Sequence, residues 1–126
     1  MIQIPSPPKT NDVLLNDFLR WVYNVLSSGF IYKQTRTATS YTIKVNDFYV
    51  GVTSTAAART ITLPALASIP EETVYIVKDE SGGASVNNIT IDGNASETID
   101  GAATKVINTN YGAVRLMRSS SAWFTW

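Results

Sequence analysis

Two hydrophobic periods divide this chain. Between residues 11 and 28, Leu14, Phe18, Trp21, Val22 and Val25 recur at helical spacing, and Leu15, Leu19 and Leu26 widen the stripe. Asn16, Asp17, Arg20, Asn24 and Ser27 take the narrow opposite face. Thr10 or Asn11 can cap the start, and Asp12 lies in the first turn, where the helix dipole favours an anion. Gly29 is a natural left-handed stop. The spacing predicts one helix over 11–28. Its apolar face is wide for a helix attached to a small domain. Such a face packs on that domain or, in the sharper reading, on copies of itself or on a larger particle.

From Tyr41 the period is two. Tyr41, Ile43 and Val45 alternate with Thr42, Lys44 and Asn46, and Asn46-Asp47 is a turn signal. Phe48 to Val52, Thr60 to Leu63, Val74 to Lys78, Ile89 to Ile91, Thr98-Ile99, Lys105 to Thr109, Ala113 to Arg118 and Ala122 to Trp126 follow as strand candidates. Val74 to Lys78 is apolar at successive positions, as in a buried central strand. Asn110-Tyr111-Gly112 reads as a tight connection. Turn signals at intervals of roughly 8–12 residues point to a sandwich or barrel. The expected fold is therefore mainly β: an N-terminal extended arm and one α-helix, then a β-sandwich or barrel-like domain. Residues 1–40 form the arm-and-helix region and residues 41–126 the β-domain. In the arm, Pro5, Pro7 and Pro8 favour an extended path that orders only on another surface. Residues 30–40 are a Thr/Ser-rich transition.

Composition narrows the chemistry. The 126 residues carry ten basic and ten acidic side chains, a formal net charge of zero. That argues against nucleic acid, which selects a basic surface, and no polybasic cluster suggests a membrane patch. No apolar run approaches the roughly 20 residues of a bilayer span, and Met1-Ile2-Gln3-Ile4-Pro5 is not a secretory signal, so synthesis in a cytoplasm is expected. The chain has no cysteine and no histidine, which removes disulfides, thiolates and the commonest general base and metal ligand. Asp79 and Glu80 are adjacent and would face opposite sides of a strand, so they form no acid/base pair. Asp79-Glu80-Ser81-Gly82-Gly83 reads as a solvated turn. Asp92-Gly93 and Asp100-Gly101 are hairpin signals before they are calcium signals. No catalytic, cofactor-binding or metal residues are expected. Tyr32, Tyr41, Tyr49, Tyr111, Trp123 and Trp126 fit core and subunit seams better than sugar stacking.

The run Tyr75-Ile76-Val77-Lys78-Asp79-Glu80-Ser81-Gly82-Gly83, then Asn87-Asn88-Ile89-Thr90-Ile91, Thr98-Ile99-Asp100-Gly101 and Ile107-Asn108-Thr109-Asn110-Tyr111-Gly112 resembles a β-domain recurrent in bacteriophage fibre and virion-surface proteins. The likeness covers roughly residues 41–126, with Trp123-Phe124 as a second anchor. It implies a homotrimer without enzymatic activity, made in a host bacterial cytoplasm and localised to the virion. Because the chain has no shaft, the resemblance favours a capsid decoration (cement) protein or head fibre, whose partners are other virion proteins of the capsid or tail. Ile4, Pro5, Pro7, Pro8, Leu14, Phe18, Trp21, Val22 and Val25 are the expected attachment or oligomer contacts. The second reading is a short tail-fibre or receptor-binding module recognising host surface carbohydrate.

Overall fold

The computed structural model describes residues 13–27 and 33–126, without the side chains of residues 25–27. The chain divides into two compact units, Met1–Lys33 and Gln34–Trp126. In the first unit the expected helix is α1, Val13–Ser27. Leu14, Phe18 and Trp21 are exposed, and the Phe18 and Trp21 rings lie 6.2 Å apart. Leu19, Val22 and Tyr23 are half-buried. Ile4, Pro5, Pro7, Pro8 and the Val25 side chain lie outside the described residues.

The second unit holds nine strands: β1 Gln34–Thr37, β2 Tyr41–Thr42, β3 Tyr49–Val52, β4 Arg59–Thr62, β5 Val74–Asp79, β6 Ile89–Asp92, β7 Thr104–Ile107, β8 Ala113–Arg118 and β9 Trp123–Thr125. They form a five-stranded sheet, β1-β3-β5-β8-β9, and a four-stranded sheet, β2-β4-β6-β7. The unit starts at Gln34, so the transition segment supplies its first strand.

The pairing differs from what the regular turn signals suggest. β1, β3 and β5 run parallel, as do β2, β4 and β6. The first six strands alternate between the sheets, so the chain winds as a coil that lays one strand in each sheet per circuit. Only β7, β8 and β9 pair antiparallel. Turn-forming residues mark where a chain changes direction, and they do so equally well for a crossing between sheets as for a hairpin. The circuits are also unequal: Gln34 registers with Tyr49, and Tyr49 with Ile76. No sequence repeat betrays such a coil. Two smaller expectations change as well. Beyond Thr42 the predicted first strand turns away, with Ile43 still bonded to Thr62, and Thr98-Ile99 contributes only isolated bridges at Ile99.

The strand period of two builds one core between the sheets. Val50, Val52, Tyr75, Val77, Leu116 and Trp123 point in from one sheet; Ile61, Ile89, Ile91 and Ile107 point in from the other. In β5, Tyr75, Val77 and Asp79 are buried while Val74, Ile76 and Lys78 are half-covered. The predicted central strand is thus third of five in its sheet, with alternating rather than uniform burial. Tyr75 and Trp123, both fully buried, place their rings 5.7 Å apart. Each large side chain buried this way contributes about 1.5–3 kcal/mol. Asp100-Gly101 makes the tight turn its composition signals: φ is +50° and +82°, and Ile99 and Ala102 exchange N–H···O bonds.

The core residues all belong to the second unit. Residues 34–126 alone should therefore unfold in a single cooperative denaturant transition. Trp123→Ala should cost about 3–5 kcal/mol in that transition.

Candidate functional site

At the carboxyl ends of β3 and β5 the chain crosses between the sheets through segments 53–58 and 80–88, and segment 108–112 returns it from β7 to β8. Lys78 registers with Ala113, so the crossing that leaves β5 lies beside the one that arrives at β8. Asp79 is the last residue of β5. The strand period turns its side chain inward, and it is fully buried.

A buried carboxylate must be met by donors. Asp79 Oδ1 accepts from the Ser81 N–H at 2.9 Å, the Ser81 hydroxyl at 2.7 Å and the Gly82 N–H at 3.0 Å. Oδ2 accepts from the Ala84 and Tyr111 N–H groups, each at 3.1 Å. Burial by itself would raise the pKa. The Ser81 hydroxyl and the N–H groups of Tyr111, Ala84 and Gly82 outweigh it and hold the carboxyl down at about 2. The Asp79 N–H donates to Gly112 O at 2.9 Å, the Lys78 ammonium donates to Tyr111 O, and the Ser85 N–H donates to Asn110 Oδ1 at 2.9 Å. The Asn87 amide reaches Thr55 O at 2.8 Å, and the Thr55 and Ser81 hydroxyls share a 2.7 Å bond. The carboxylate thus ties two crossings together, and Ser81 and Asn87 fasten the third to them through Thr55 to complete a block.

The solvated turn expected at Asp79–Gly83 is corrected here. The short aspartate side chain captures N–H groups of its own following turn, a local effect that composition does signal. Nothing near residue 79 signals the fourth N–H, which comes from Tyr111.

Tyr111 is the conspicuous surface group of this block. Its φ is +60°, a genuine outlier for a bulky residue. The residue is 60% exposed, and its ring lies over Gly82, where an added Cβ would sit 2.4 Å from Tyr111 Cζ. Gly82 itself has φ +76°, so glycine is required there on both counts. Val86, 83% exposed, follows in the adjoining turn.

The remaining acidic groups have separate duties. Glu80 faces away from Asp79, as expected: its carboxylate accepts from the Tyr49 hydroxyl at 2.7 Å and pairs with Arg36 at 3.0 Å. The Tyr49 bond and the Arg36 charge lower its pKa, while burial and Glu80 push Tyr49 up to about 12. At the opposite end, buried Asp47 accepts from the Thr35 and Tyr41 hydroxyls, each at 2.7 Å, and from the Lys44 N–H at 2.9 Å. Asp100 is bound to Thr125 and lies 3.6 Å from Lys105. Among the described residues, no three His, Cys, Asp or Glu side chains group as metal ligands. Of the residues expected to make contacts, Leu14, Phe18 and Trp21 present uncovered surface on α1, and Val22 is half-buried there. Tyr111, which the sequence singled out only as one of several aromatics, is the residue that the loop block displays.

Replacing Asp79 tests the joint. The folded pKa lies below the ordinary 3.8, so the carboxylate's stabilisation is complete above about pH 4–5 and fades as pH falls toward 2. Asp79→Asn turns an amide NH₂ toward N–H donors and should cost on the order of 2–4 kcal/mol at pH 7. By denaturant unfolding, the gap to the parent should narrow as pH drops from 5 to 2; a gap independent of pH would contradict the assigned role. Among known proteins, no family model and no curated sequence matches this chain.

Proposed function

We propose that this chain is a non-enzymatic structural protein of a bacteriophage virion: a trimeric capsid decoration (cement) or head-fibre protein, anchored by its N-terminal arm and helix. The observation that carries the reading is the contrast between the two units. The β unit has a closed core of its own, whereas α1 turns Leu14, Phe18 and Trp21 outward. Large apolar groups standing open on a helix are of the kind that anchor interfaces. The resemblance to virion-surface β-domains gives the class of partner. Within its densest part, Val74 to Gly112, the runs Lys78–Gly82 and Ile107–Gly112 meet at the Asp79 carboxylate, which gives their joint occurrence a physical basis.

For the trimer, the outer face of the five-stranded sheet offers a seam. Met117 and Phe124 register on that face and are 40% and 48% exposed. Arg115 covers Trp126 from 5.7 Å on the same side. The physical division is then simple: an arm that orders on a shell, a helix that anchors, and a rigid β unit that projects. Three copies would offer three arms at once, and the effective concentration of the second and third compensates for a weak single contact.

The second reading is a short tail-fibre or receptor-binding module for host surface carbohydrate. It is favoured by the exposed Tyr111 ring on its fixed turn.

Light scattering should give about three times the mass of one chain. Removing residues 1–28 should leave a folded β unit that no longer sediments with particles. Trp21→Ala should weaken attachment or trimer stability by about 2–4 kcal/mol. Full retention of the truncated protein on particles would make the β unit the anchor and reverse the polarity.

A further inference from the structure

We infer that Tyr111 is a preorganised stacking platform for a saccharide, and that its ligand is a chain of hexopyranoses whose substituents are equatorial. The inference deepens the receptor reading and is independent of where the protein sits on a particle.

Four observations converge on this residue. First, the backbone is held in a conformation that a bulky side chain rarely adopts, with φ at +60°. A strained residue persists only where its surroundings over-determine it, and such residues cluster at ligand clamps. Second, the surroundings are identified. The Tyr111 N–H is bonded to the buried Asp79 carboxylate, its carbonyl accepts from Lys78, and Gly112 closes the turn with an N–H to Thr109 O at 2.9 Å. Third, the hydroxyl end of the ring lies over the Gly82 backbone. Its Cζ, hydroxyl and Cε2 atoms all come within 2.7 Å of the place a Gly82 Cβ would occupy. That end is thus supported by the turn, while the residue as a whole keeps 60% of its surface open. Fourth, the ring is not filling the core: the core cluster is complete without it.

This arrangement fits one ligand chemistry. An aromatic face carries negative charge density, so it attracts the polarised C–H groups that a pyranose presents when its hydroxyls are equatorial. The contact needs a ring that is already immobile, since ordering a free side chain on binding would consume the small gain. Here folding has done the ordering. Asn110 and Ser85, bonded to each other at 2.9 Å and both exposed, flank the platform with the amide and hydroxyl groups that equatorial sugar hydroxyls use. The neutral character of these neighbours does not select an anionic ligand. The charged neighbour, the Lys78 ammonium, is engaged by the Tyr111 carbonyl and acts on the Glu80 carboxylate, so the groups left to meet a ligand are an aromatic ring and neutral polar side chains, which suit a neutral saccharide. The protein–protein alternative, in which Val86 and Tyr111 together form an apolar contact, is one of the outcomes of the test.

The full-length protein would be titrated with β-1,4-linked oligomers of glucose and of N-acetylglucosamine while the Tyr111 ring and backbone resonances are followed by NMR. Saturable shifts centred on Tyr111, Gly82 and Asn110 are expected, in the millimolar range of a single stacked sugar. Tyr111→Phe should keep the affinity within about twofold, because stacking needs the ring and not the hydroxyl. Tyr111→Asn should weaken it by about tenfold or more; asparagine tolerates the left-handed backbone, so the turn survives while the platform is removed. Unchanged Asp79 carboxyl chemical shift in Tyr111→Asn would certify that the joint is intact. Saccharide binding that Tyr111→Asn does not weaken would overturn the platform and leave the receptor reading standing. Absence of any shift with both oligomers would overturn the inference, as would shifts at Tyr111 driven only by protein concentration, which would assign the ring to a contact between copies.

Discussion

The Asp79 carboxylate is a charge taken out of water at the end of a central strand, and much of the loop end follows from the need to satisfy it. The strand period leaves no choice of side: with Tyr75 and Val77 pointing inward, residue 79 points inward too. An isolated carboxylate there would be prohibitively costly. Five donors surround it instead, four from the turn that follows and one from residue 111. Local donors fix the 80–84 turn. The distant donor does more, because it fastens the return from β7 to the exit from β5 and so sets where Tyr111 stands. The strain of a left-handed tyrosine is offset by bonds at both ends of its peptide groups.

The β unit has a second buried carboxylate at its other end. Asp47 joins β1 to β2 through the Thr35 and Tyr41 hydroxyls and closes its own turn through Lys44. Burial, then the bond to Asp47, pushes the Tyr41 hydroxyl up to about 12. Parallel coils of unequal length have no short hairpins to pin their register. Buried aspartates that reach across crossings supply that specification. The described side chains of the helical unit, by contrast, include large apolar groups left open.

The helix, the switch to a β unit and nearly all the strands were legible, because hydrophobic period records which face is buried. Ala113–Arg118 and the 11–28 helix are examples. The parallel pairing was not legible. Period two is the same for a strand with parallel or antiparallel neighbours, and Ser81-Gly82-Gly83 marks a crossing as readily as a hairpin. Asp100-Gly101, by contrast, is legible because a two-residue turn with positive φ at both positions has a narrow chemistry. Asp79 reads as solvated because acidic residues in glycine-rich turns usually are; its burial follows from the inward register it shares with Tyr75 and Val77, and its fifth donor, the Tyr111 N–H, is brought near only by the fold. Tyr111 itself was one aromatic among several. The signal that could have raised it was its place between Asn110 and Gly112, a turn position where a tyrosine is out of character.

The most direct test of the joint is the titration of the Asp79 side chain itself, followed through its carboxyl carbon by NMR between pH 1.5 and 6. A midpoint near 2, accompanied by loss of protection at the Tyr111 amide as the proton goes on, is the result expected from a carboxylate held by these donors. A midpoint at or above the ordinary 3.8, with the Tyr111 amide indifferent to it, would contradict the central role given to Asp79.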